Sequence, residues 1–300
     1  MNTPATETQH TDGASLVFLA GCPRSGTTWL QRLLAAHPRV RTGQESDLFT
    51  MYIGPQMRNW MQYKEPAADQ RGGIGLACHL TEDQFMATLK GYLQAILGHM
   101  LQDVPPGCLF LEKTPSHALF VKEIHALLPK ARFINVIRDP RAVAASLIAA
   151  SKGWGRDWAP KTGRECARMW MTHVEAFATA AKDLPPALWQ EVNYEALLAN
   201  QEKGFKGILA CLGLDYDAGV FAPLLGARSW NPFAKKASLP EIPIRGEIAQ
   251  RGISTVIEPQ GFNRKVSADK WREELSAEDL KDLVAELSTR PELLSYDLSA

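Results

Sequence analysis

Leu16-Val17-Phe18-Leu19-Ala20-Gly21-Cys22-Pro23-Arg24-Ser25-Gly26-Thr27-Thr28-Trp29-Leu30 is the stretch on which the fold of this chain turns. The apolar run Leu16 to Ala20 ends in a Gly/Pro turn, and Thr27 to Ala36 then sets Trp29, Leu30, Leu33 and Leu34 at helical spacing. The order is strand, loop, helix. Gly21 to Thr28 keeps the frame G-x-x-x-x-G-K-[ST], with Thr27 where the lysine belongs. A glycine turn that runs into a helix N-terminus aims several backbone N–H groups at one spot and binds phosphate or sulfate without side-chain charge. The missing lysine argues against ordinary ATP or GTP chemistry. Arg24 returns a cation to the loop, and its planar guanidinium can bridge the oxygens of adjacent anionic groups.

The same rhythm repeats along the chain. Cys108 to Leu111 reads as a strand, and Thr114-Pro115-Ser116 opens a helix that buries Leu119, Phe120, Ile124, Leu127 and Leu128 and stops at Pro129. Arg132 to Ile137 is a third strand, followed by an alanine-rich helix from Asp139-Pro140. Leu188 to Asn193 is a fourth, between a helix over Glu165 to Ala181 and another beginning near Glu202. Parallel strands need long crossovers and bury both faces. The expected fold class is therefore α/β, a P-loop-type parallel β-sheet flanked by helices on both faces. It forms a single domain over 15–300 behind a disordered tail at 1–14. Two segments, 47–107 and 226–269, break the alternation; they are expected above the carboxyl ends of the strands as substrate covers.

Composition narrows the function. Lys plus Arg and Asp plus Glu number 33 each, so no global basic field recruits nucleic acid or an anionic membrane, and any anion site is local. The five cysteines are scattered and lack C-x-x-C spacing, which suits a reducing compartment. No basic-then-apolar leader and no run of about eighteen apolar residues is seen, so a cytoplasmic chain is expected. No histidine spacing indicates a metal. A homodimer is compatible with all of this.

Pro23-Arg24-Ser25-Gly26-Thr27-Thr28-Trp29 resembles the 5′-phosphosulfate loop of sulfotransferases that use 3′-phosphoadenosine 5′-phosphosulfate (PAPS). The continuation through Ala36-His37-Pro38 to Gly43-Gln44-Glu45 resembles tyrosylprotein sulfotransferases in particular. The resemblance implies a transfer of a sulfuryl group from PAPS to an acceptor hydroxyl, leaving 3′-phosphoadenosine 5′-phosphate (PAP), with no metal required. It further implies that Arg24, Ser25, Gly26, Thr27, Thr28 and Trp29 hold the 5′ end of the donor and that Arg138 and Ser146 hold its 3′-phosphate. Tyr194, in Val192-Asn193-Tyr194-Glu195, matches a segment near the donor. Asn263-Arg264-Lys265 and Lys270-Trp271 resemble a late loop that closes over the nucleotide.

Sulfuryl transfer needs the acceptor hydroxyl deprotonated as it attacks, the sulfur held in line, and positive charge where the bridging oxygen becomes anionic. By the resemblance, Glu45 is the base, and Lys113 with Arg24 stabilises the leaving oxygen. His117, shortly after Lys113, is the rival base, by analogy with cytosolic sulfotransferases. Asp47 stands near where tyrosylprotein sulfotransferases carry basic residues, and paired cysteines and a secretory anchor are missing, which argues against peptide tyrosine as acceptor. Phe49, Met51, Tyr52, Trp60, Met61, Tyr63, Trp154 and Trp158 either line an acceptor pocket or pack as local core. The competing functions are a P-loop kinase or NTPase, which Thr27 disfavours, and a non-catalytic nucleotide-binding protein that keeps the fold.

Overall fold

The computed structural model describes residues 12–64, 75–225, 242–243, 250, 269–294, 296 and 298. Five parallel strands run in the order β2-β3-β1-β4-β5, with β1 Leu16–Gly21, β2 Val40–Thr42, β3 Leu109–Glu112, β4 Arg132–Ile137 and β5 Trp189–Asn193. β2 is an edge strand of three residues, too short to show a period of its own.

Strand alternation assigns the two faces. Leu16, Phe18 and Ala20 of β1 pack with Phe133, with helix α3 Glu82–Leu101 through Leu93 and Leu97, and with α4 Val121–Leu127 through Ile124. Val17 and Leu19 point the other way, against Leu30, Leu33 and Leu34 of α1 Thr27–Ala35 and against Phe205 and Ile208 of α8 Gln201–Cys211. Burial on both faces explains why β1 reads as a continuous apolar run. A further apolar cluster joins α5 Pro140–Ser151, α6 Gly163–Ala181 and α11 Ala277–Leu287 through Val143, Leu147, Trp170, Leu283 and Leu287.

The helix expected from Thr114 is instead a 3₁₀ turn, Pro115–Leu119, followed by α4. Within this turn the buried His117 ring meets Phe18 of β1 edge-on at 5.6 Å. Asn193 caps a short helix, α7 Tyr194–Ala199, by accepting from the Ala196 N–H at 2.8 Å. Segment 47–107 contributes a π-helical turn, Leu48–Ile53, then α2 Gly54–Tyr63 and α3. Segment 226–269 lies almost wholly outside the described residues. One of its few described residues, Ile242, accepts from Gln44 Nε2 at 3.2 Å, beside Glu45.

Because β1 lies between β3 and β4, the chain reverses direction across the sheet at the carboxyl end of β1. In open α/β sheets that is where ligands settle.

Candidate active site

The loop from Cys22 to Gly26 leaves β1 at this reversal. Gly26 caps α1 with φ 96°, and a Cβ placed there would stand 2.4 Å from the Tyr194 ring, so only glycine allows both the turn and the contact. Arg24 also adopts a left-handed backbone, φ 75°, which is costly for a residue with a side chain and frequent at functional turns. The first N–H groups of α1 have no intrahelical acceptor. Ser25 is fully buried, and its Oγ has no hydrogen-bond partner among the described residues. A buried hydroxyl beside a helix N-terminus fits an anion that would supply the missing partner.

Arg138 follows β4, and its guanidinium donates to the Arg24 carbonyl at 3.1 Å and lies 4.7 Å from the centre of the Tyr194 ring. Tyr194 in turn meets Trp29 edge-on at 5.6 Å. Asp139 does not pair with Arg138; its carboxylate caps α5 and binds the Arg141 guanidinium at 2.9 Å. Arg24 and Ser146, expected at opposite ends of the donor, share a hydrogen bond of 3.0 Å. Trp154 lies 5.2 Å from the Arg24 guanidinium and thus belongs to this end of the site. Lys270 pairs with Glu274 at 2.8 Å, next to Trp271, which is buried against Ala142 and Ala145 of α5. Asn263, Arg264 and Lys265 fall outside the described residues.

On the β3 side, Lys113 and Glu45 form an ion pair. The lysine side chain is 4% exposed and the glutamate 44%, so the cation is fixed in the protein while its carboxylate faces solvent. Two networks hold them. Gln31 donates to Thr42 Oγ1 at 2.7 Å and to the Gly43 carbonyl at 2.9 Å, and Thr42 donates to the Leu111 carbonyl at 2.7 Å, which ties α1 and β3 to the chain just before Glu45. Beneath the pair, Glu112 accepts from Ser46 Oγ at 2.8 Å and Thr114 Oγ1 at 2.8 Å, and its other oxygen lies 2.7 Å from His117 Nδ1. Burial opposes ionisation of Glu112, but the His117 ring and the Ser46 and Thr114 hydroxyls outweigh it and hold the carboxyl at about 2.

His117 is fully buried between Phe18 and Phe49. The Phe49 N–H donates to its Nε2 at 3.2 Å, so the ring proton sits on Nδ1, facing Glu112. Both ring nitrogens are thus engaged away from solvent. Phe49 and Trp60 are core, the latter stacked on Phe85 at 4.3 Å, whereas Met51, Tyr52, Met61, Tyr63 and Trp158 are exposed.

Glu112→Gln is expected to cost about 2–3 kcal/mol, because the amide puts a second donor against His117 Nδ1. The folded carboxyl titrates below its unfolded value. Its contribution is therefore complete above the ordinary carboxylate range and is lost as pH falls from there through about 2. Thermal unfolding between pH 6 and pH 2 should show a shallower acid limb in the variant; parallel limbs would contradict this.

These features define an α/β domain with a glycine loop and a buried hydroxyl at the head of α1. Its family is narrower: the model of the sulfotransferase family matches residues 16–218, and the chain belongs to that family. A protein-tyrosine sulfotransferase of Drosophila melanogaster is 25% identical over 286 residues, which take in 94% of this chain and 52% of that protein. The chain spans about half the length of the curated relatives it matches. The sulfotransferase domain of the Synechococcus PCC 7002 olefin synthase superposes with a TM-score of 0.54 at 21% identity, covering 98% of this chain and 99% of that one. Mouse sulfotransferase SULT7A1 complexed with PAP superposes with a TM-score of 0.52 at 15% identity, covering 93% and 83% respectively. Both share the fold. Nothing in these comparisons supports the kinase or NTPase alternative.

Proposed function

We propose that this chain transfers a sulfuryl group from PAPS to an acceptor hydroxyl. The observation that carries the reading is the buried Lys113 paired with the accessible Glu45 at the end of β3, beside β1 and its loop, whose buried Ser25 hydroxyl has no partner among the described residues. Bound PAPS supplies an activated sulfuryl group whose sulfur–oxygen bond to the 5′-phosphate breaks as the new ester bond forms. Glu45 exchanges its ion pair for the acceptor hydroxyl and takes that proton. Lys113, with Arg24 at the loop, offsets the charge that develops on the departing phosphate oxygen. The α1 N-terminus, Ser25 and Thr27 hold the 5′ end, and Arg138 with Ser146 holds the 3′-phosphate, in line with the PAP carried by the mouse neighbour. His117 is assigned no proton transfer, since its ring is sealed between Glu112 and the Phe49 amide.

The acceptor is taken to be a small molecule or another hydroxyl-bearing partner, with neither nucleic acid nor membrane as partner. Among the described residues no helix is long and apolar enough to cross a membrane. A thermal-shift titration with PAP, beside ATP with Mg²⁺, tests the donor: a shift with PAP alone supports it, and a shift only with ATP and Mg²⁺ overturns it. Arg24→Ala and Arg138→Ala should each weaken PAP by about 10- to 150-fold, as expected for a charge-assisted contact of roughly 1.5–3 kcal/mol. Calorimetry showing wild-type affinity in both would remove the donor assignment. PAP binding without turnover of any hydroxyl acceptor would favour the non-catalytic alternative.

A reducing compartment is proposed on the thiols. All five cysteines are free, and burial pushes Cys166 up to about 12. Thiol titration of the denatured protein, isolated without reductant, should count all five; a lower count would place it elsewhere.

A further inference from the structure

Tyr296, late in the chain, lies at the far wall of the site. Tyr296 Oη donates to Glu195 Oε2 at 2.9 Å and accepts from Asn193 Nδ2 at 2.9 Å. The other Glu195 oxygen accepts the Asp139 N–H at 3.1 Å. One phenol therefore joins the carboxyl ends of β4 and β5. Each of its partners adjoins a residue that faces the donor loop: Asp139 follows Arg138, while Asn193 and Glu195 flank Tyr194. Asn193 uses its remaining oxygen to cap α7, which begins at Tyr194. The Tyr194 ring, in turn, sits against Gly26, Trp29 and the Arg138 guanidinium.

We propose that Tyr296 is a positioning residue for the donor nucleotide: its hydroxyl, through Glu195 and Asn193, fixes the mutual placement of Arg138 and Tyr194. The assignment rests on the donor reading above. Burial, with the Glu195 carboxylate adding to it, raises the phenol's pKa, so the hydroxyl stays protonated and donates throughout the neutral range. The Tyr296 ring itself packs against the apolar cluster of α5, α6 and α11. Phenylalanine keeps that packing and removes only the hydrogen bonds.

Two variants of the full chain test this. Tyr296→Phe should bind PAP about tenfold more weakly by calorimetry, with the donor KM raised in proportion, kcat at saturating donor and acceptor unchanged, and a near-wild-type melting temperature. Asn193→Ser keeps a capping oxygen for α7 but loses the amide donor, and should show a smaller loss of the same kind. Wild-type PAP affinity in Tyr296→Phe, whether or not its melting temperature falls, makes Tyr296 a structural strap only and overturns the proposal. A wild-type protein that binds no PAP overturns both this inference and the donor reading, whereas Arg24→Ala weakening PAP while Tyr296→Phe does not overturns this inference alone.

Discussion

Lys113→Met is expected to lower kcat by about two to three orders of magnitude, the loss typical of removing one preorganised group that faces developing charge. The cation is held at 4% exposure at the end of β3, where a neighbouring charge is screened little, so water cannot replace it as the sulfur–oxygen bond breaks. The fold should survive. Methionine is close to lysine in length and carries no charge to bury, and the carboxylate left behind is 44% exposed and can be hydrated. Lys113→Arg should recover only part of the rate, since a planar fork does not occupy the position of a compact ammonium. Single-turnover kinetics with preformed donor complex checks this, and a kcat within threefold of wild type in Lys113→Met would remove Lys113 from the chemistry.

Glu45→Gln should lower turnover by about 10²–10⁴-fold, the range for losing a positioned general base, while PAP affinity stays close to wild type. The amide still offers an oxygen to the Lys113 ammonium, but that cation is 4% exposed and loses its counter-charge, so the melting temperature should fall modestly as well. Binding and turnover therefore separate at this one position. Full activity in Glu45→Gln would require another base. His117→Ala provides the contrast: its loss opens a cavity between Phe18 and Phe49 and strips one buried Glu112 oxygen of its partner, so any fall in activity should come with a fall in melting temperature.

The donor framework was legible because its signals are local. Gly26 is demanded by a positive φ, the β1 run by burial on two faces, and the start of α5 by Asp139-Pro140 acting as cap and first turn. The edge strand β2 and the helix α7 were not, since three and six residues carry too little periodicity. Segment 47–107 was read as cover or core without a way to choose. Phe49 and Trp60 fall inside, while Met51 and Met61, equally apolar, remain outside, since apolarity alone does not say which side of its turn a residue occupies.

The class of fold, the glycine loop and the residue types that sulfuryl transfer requires were readable from local sequence, for each depends on neighbours within about two turns or one strand. Who meets whom was settled by long-range packing. Arg24 joins Ser146 across 122 positions, Lys113 joins Glu45 across 68, and Tyr296 reaches Glu195 across 101. His117 is sealed from the site by Glu112 and by the amide of Phe49. Those pairings follow from strand order and from the stacking of helices on the two faces of the sheet, which no local spacing encodes.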